Sequence, residues 1–161
     1  MNKDEILDAL EDERERLLEA IDGLSDEQMQ EPGVTGEWSI KDLLHHVSAW
    51  EAELVKLLWQ AARGEKPDSR LLNDDPVDDT NAQWQAIGRA RPLDDVLDDL
   101  AAVRKQTIRR VDSLADADFE DPQRYAWLKG SPLWEWIRGD SFGHEAEHTA
   151  EIKAWRAAHG Y

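Results

Sequence analysis

Apolar residues recur at helical spacing through four long stretches of this chain, and no stretch alternates with the two-residue period of a strand. Ile6, Leu10, Leu17, Leu18, Ile21 and Leu24 form the first stripe, predicting a helix from about Lys3 to Leu24. Ser25 then opens a short capped turn, and Pro32 and Gly33 mark a loop. Ser39, with Asp42 three residues on, has the spacing of a capping box and starts a second helix running to about Arg63. Ile40, Leu43, Leu44, Val47, Trp50, Leu54, Leu57 and Leu58 make its apolar side. A third helix is expected from Leu93 to Leu114, along the stripe Val96, Leu100, Val103, Thr107, Val111. The fourth begins near Pro132, placed at N1 after Ser131 as N-cap, and ends at Gly160. The pattern predicts an all-α four-helix bundle, with residues 1–161 as a single domain.

Residues 64–92, between the second and third helices, are rich in Asp, Asn, Pro and Arg. A short helix is expected from Asn81 to Ile87. The connection is long for a compact bundle. Such a crossover lets consecutive helices run parallel, or covers a site, and Asn81 and Trp84 are then the expected contacts.

His144 and His148 stand four residues apart in the last helix, so both imidazoles project to one side. That spacing lets a helix offer two nitrogen ligands to one ion. Helices also carry such pairs without binding a metal. This pair shares a stripe with Ile152 and Trp155, however, and core histidines must be hydrogen-bonded or ligating. His46, in the second helix, is a third candidate. A facing arrangement would make a three-nitrogen site with positions left open. Neighbouring His45 points about 100° away around its helix.

Composition narrows the chemistry. With 161 residues, 40% of them hydrophobic and eight Trp, the chain is long enough for a packed core. The absence of Cys removes disulfides, thiolate nucleophiles and Cys-type zinc sites. No glycine-rich phosphate loop or serine-nucleophile motif is present. A net charge of −17 predicts that neither nucleic acid nor an anionic membrane is a partner. No apolar run approaches the roughly 20 residues that span a bilayer. The charged start lacks a signal core, so a cytoplasmic location is expected.

The segment Trp-Ser-Ile-Lys-Asp-Leu-Leu-His-His-Val-Ser-Ala-Trp-Glu, from Trp38, resembles the second-helix signature of the DinB/YfiT-like four-helix-bundle superfamily. Phe-Gly-His-Glu-Ala-Glu-His-Thr-Ala-Glu-Ile, from Phe142, resembles its fourth-helix signature. The stretch Leu133 to His144, together with Asn81, is most similar to the ClbS/DfsB branch. The resemblance covers nearly the whole chain. It implies an up-down-down-up bundle and a divalent-metal site of His46, His144 and His148, holding zinc or nickel. It also implies relatives that are thiol-dependent transferases and isomerases. The ClbS branch adds a self-resistance protein that opens an electrophilic cyclopropane by hydrolysis, where a metal is not clearly required.

Glu51, Asp140 and Glu145 are candidate hydrogen-bond acceptors for the other ring nitrogens of the ligands. Trp50, Asn81, Tyr125 and Trp127 are candidate pocket residues, with core packing the alternative for the tryptophans. Three functions fit these residues. One is a metal-dependent hydrolase or transferase acting on a small electrophile in detoxification or self-resistance. The second is a protein that only binds or sequesters a small molecule. The third is a structural module whose histidines merely pack. The sequence leaves a homodimer open.

Overall fold

The computed structural model describes residues 1–74 and 76–161. The described residues form α1 (Lys3–Ile21), α2 (Asp26–Met29), α3 (Ile40–Ala62), α4 (Val77–Arg89), α5 (Leu93–Asp112), α6 (Asp116–Glu120), α7 (Leu133–Asp140) and α8 (Phe142–His159). Two short 3₁₀ turns, Arg70–Leu72 and Ala126–Leu128, lie in the connections. The bundle consists of α1, α3, α5 and α8.

Local chemistry starts the main helices. Asn2 and Glu5 cap α1 reciprocally, and Ser39 and Asp42 do the same for α3. The Ser39 Oγ accepts from the Asp42 amide at 3.1 Å, and the Ser39 amide donates to the Asp42 carboxylate at 3.0 Å. Cross-helix contacts give the directions. Arg14 of α1 meets Glu145 of α8, and Ala20 meets Arg156, so α1 and α8 run parallel. Along the α3–α5 groove, the residues run from His45 to Ala52 on one side and from Asp99 to Gln106 on the other. Lys3 reaches the Asp112 carbonyl, and Arg14 the Leu100 carbonyl, which makes α1 and α5 antiparallel. The bundle is therefore up-down-down-up, with α4 inside the long crossover from α3 to α5. The crossover helix is longer than the expected Asn81–Ile87.

The expected single fourth helix is two helices. At Ser141 the backbone leaves helical geometry (φ −138°, ψ −106°), and its Oγ donates to the Ile137 carbonyl. Gly143 permits the tight join: a Cβ there would lie 2.7 Å from the Arg138 carbonyl oxygen. Pro132 is the N-cap of α7 rather than its first helical residue.

The apolar interior falls into two clusters. One includes Ile6, Leu10, Leu54, Leu57, Phe119 and Leu133. The other includes Leu17, Leu43, Leu44, Val96, Leu100 and Ile152. Between them lies a buried layer of charge contributed by all four bundle helices: Arg14, Glu51, Arg104 and Glu145. Arg104 Nε donates to Glu51 at 2.7 Å, and Thr107 Oγ1 donates to the same oxygen at 2.7 Å. Two cations and two anions in one layer cancel, which makes their burial tolerable.

Candidate metal centre

His46 projects from the second turn of α3, immediately below the capping box. His144 and His148 project from the first two turns of α8, just past the Ser141 break. Because α3 and α8 face each other, the three rings meet at one end of the bundle. The Nε2 of His144 lies 2.9 Å from the Nε2 of His46 and 3.1 Å from that of His148. One ligand atom from each of the three lies within 4.8 Å of the others. His46 is buried, and the other two are half-buried. Burial first, and then repulsion from the neighbouring rings, lowers the pKa of His46 to about 3 and that of His144 to about 4. His46 and His144 are thereby held as neutral imidazoles, the form that ligates.

The orientation of His148 is set by a residue that sequence reasoning missed. Its Nδ1 lies 2.7 Å from the Glu151 carboxylate, which also accepts from Thr35 Oγ1 at 2.8 Å. The carboxylate holds the proton on Nδ1 and turns the Nε2 lone pair to the centre of the cluster. The signal was present, since Glu151 follows His148 by three residues. Trp38 packs edge-on against His46, with ring centroids 5.2 Å apart.

The donor set fits a divalent cation. With the His148 proton on Nδ1, no tautomer choice pairs every nitrogen. A proton on His144 Nε2 leaves the buried His46 Nδ1–H without an acceptor, and a proton on His46 Nε2 leaves His144 and His148 lone pair to lone pair. A shared cation accepts all three Nε2 lone pairs and so removes the lone-pair opposition at the centre of the cluster. Two of the three spacings, 2.9 and 3.1 Å, are close to the separation of about 3.3 Å between ligands of a tetrahedral ion with bonds of about 2.0–2.1 Å, and all three ligand atoms lie within 4.8 Å of one another.

Beside the cluster opens a cavity of about 330 Å³, lined by His46, His144, Trp50 and Asp140 and by the crossover residues Leu71, Val77 and Asn81. Trp50 Nε1 donates to Asn81 Oδ1 at 2.8 Å, and Trp84 of α4 packs on Trp50 with centroids 4.9 Å apart. Crossover residues thus line the cavity, as do Trp50 and Asp140. The lining residues Leu71 and Val77 carried no sequence signal.

The other candidates lie elsewhere. Glu51 and Glu145 are fully buried, but their oxygens are taken by Arg14, Arg104 and Thr107, so neither supports a histidine. The core arginines, invisible to local sequence spacing, claim them. Tyr125 and Trp127 pack together, with centroids 5.0 Å apart, against the cluster containing Leu133, away from the cavity. His45 lies in the groove between α3 and α5, against Gly88 of α4.

Comparison with known proteins agrees with this architecture. The model of the DinB superfamily matches residues 9–152. The protein YuaE of Bacillus subtilis (strain 168) is 26% identical over 143 residues, covering 83% of this chain and 86% of YuaE. The crystal structure of the colibactin self-resistance protein ClbS in complex with a dsDNA superposes with a TM-score of 0.78 at 11% identity, over 95% of this chain and 94% of ClbS. DfsB, described as a sibling lethal factor precursor, gives a TM-score of 0.82 at 14% identity, over 99% of this chain and 97% of DfsB. The ClbS complex corrects one expectation. The acidic composition predicted that nucleic acid is excluded, yet a protein of this fold is seen on duplex DNA. Net charge sums a whole surface, whereas a duplex meets one face of it, so the total does not decide the matter. Among the described residues no helix is long and apolar enough to cross a membrane.

Proposed function

Because this chain belongs to the DinB superfamily, we propose that it is a divalent-metal protein that binds and transforms a small electrophile, as a hydrolase or thiol transferase in detoxification or self-resistance. The observation that carries this reading is the convergence of three imidazoles beside a cavity that His46 and His144 line. His46, His144 and His148 hold the ion, and Glu151 keeps the His148 lone pair aimed inward. A bound divalent cation, zinc or nickel, supplies Lewis-acid polarisation of an electrophile at the positions that three ligands leave open. Trp50, Leu71 and Val77 bed the apolar part of the ligand.

The experiment is metal analysis of protein purified without a histidine tag, followed by turnover of a panel of small electrophiles with and without a thiol. Stoichiometric metal lost in His46→Ala, together with metal-dependent turnover, supports the reading. Stoichiometric metal and ligand binding without turnover would replace it with a sequestering protein. No metal uptake from zinc or nickel would refute it. The DNA complex of ClbS motivates one further arm, a duplex-binding titration across salt concentrations.

A further inference from the structure

Asp140 is the last residue of α7 and lines the cavity together with His46 and His144. Among the described residues no donor reaches it. It neither caps α8, whose N-cap is Ser141, nor joins the buried arginine layer. Burial alone pushes its pKa up to about 7, and no neighbouring cation offsets that rise. Half-buried carboxyl groups normally have a partner, because desolvation without one is costly. This one has no such partner among the described residues, and its residue lines the cavity.

The other groups lining the cavity define what fits there. His46 and His144 are neutral. Arg70 sits at the exposed rim, stacked 5.7 Å from the ring of Trp84 and otherwise engaged. Trp50 presents an indole wall, and its N–H is already taken by Asn81. Leu71 and Val77 are apolar. The lining thus combines one carboxyl group, an indole with two aliphatic side chains, the Asn73 amide and two imidazoles. A volume of about 330 Å³ is near the lower end for ligand sites, which suits a small molecule.

We propose that the molecule taken by this cavity carries a protonated amine, which Asp140 receives, while Trp50, Leu71 and Val77 hold its apolar body. This deepens the function proposed above by naming a ligand class for the same cavity, and it rests on that reading only for what happens to the ligand afterwards. The ammonium supplies the donors that the carboxylate lacks, and an adjacent indole face favours a cation over a neutral group. Removing the amine then leaves a desolvated carboxyl group unpaired, which gives the site its discrimination.

The test compares three probes of one shape: 2-phenylethylamine, 2-phenylethanol and 3-phenylpropionate. Their binding is measured calorimetrically at pH 8 to chelator-treated and zinc-loaded protein. The amine is expected to bind roughly tenfold or more tightly than the alcohol, and the carboxylate most weakly. Asp140→Asn, which keeps the shape of the side chain, should bring the amine down to the level of the alcohol. Val77→Trp, which fills the cavity, should weaken both. Equal binding of amine and alcohol overturns the inference, as does an amine preference that survives Asp140→Asn or a Val77→Trp variant that binds normally. The two readings fail separately. Protein that retains zinc through His46 but shows no amine preference overturns this inference alone. Amine preference without zinc uptake overturns only the metal function.

Discussion

Glu151 accepts the Nδ1 proton of His148 across 2.7 Å and is itself held by Thr35. The pair ties His148 to the loop before α3, so one carboxylate sets both the tautomer and the ring orientation. Supporting carboxylates of this kind are typically worth 10–100-fold in metal affinity. Glu151→Ala is expected to weaken zinc binding by about that factor while leaving the helical signal unchanged. His148→Ala should reduce it further. Competition with a chromophoric chelator measures both, and equal affinity of Glu151→Ala and wild type would show that the carboxylate does not support the site.

Acid should destabilise the metal-free protein in a defined window. His46 and His144 have folded pKa values of about 3 and about 4, against about 6.5 in an unfolded chain. As pH falls below about 6.5, the unfolded chain takes up protons that the folded one refuses. Stability is therefore present above that value and is lost as pH drops through the folded values. The loss is expected to reach about 1–2 kcal/mol for each histidine by pH 5. Urea titrations at pH 8, 6 and 5 check it, and His46→Phe should flatten the slope.

Much of the bundle can be read in the residues because its determinants are local. The Ser39–Asp42 box, the stripes of α1, α3 and α5, and the four-residue spacing of His144 and His148 all act within a few turns. The break at Ser141 was not legible, because a serine between two nearby glycines is compatible with a continuous helix until its hydroxyl takes the Ile137 carbonyl. Glu51 and Glu145 were misplaced for a different reason. Nothing near them in sequence reveals that Arg14 and Arg104, from other helices, will reach them in the core. Tyr125 and Trp127 failed likewise, since an aromatic in a loop can face either a cavity or the core.

His45 and His46 are adjacent and do different work. A Cβ on Gly88 would lie 2.4 Å from His45 Cδ2, so α4 rests against the His45 ring at a position where only glycine fits. Gly88→Ala is expected to cost about 1–3 kcal/mol through overpacking. Most of that cost should vanish in a His45→Ala background, giving a coupling in a double-mutant cycle. His45→Ala alone should leave zinc retention intact, whereas His46→Ala should abolish it. Loss of zinc in His45→Ala with retention in His46→Ala would show that the register of the site is off by one residue.

The charge layer of Arg14, Glu51, Arg104 and Glu145 joins all four bundle helices directly beneath the histidines. Glu145 follows His144, so the rotation that places one on the arginines places the other on the cluster. Removing a single member strands a buried charge, and Glu51→Ala is expected to cost about 3–5 kcal/mol in chemical denaturation. Replacing all four by apolar residues of similar volume is a different experiment. Buried ion pairs often contribute little net stability, so that variant should be about as stable as wild type or more so. Its zinc affinity then isolates what the layer does for the site. If the charges fix the rotation of α8 against α3, the quadruple variant should bind zinc at least tenfold more weakly despite its stability. Unchanged affinity would assign the rotation to the apolar clusters on either side.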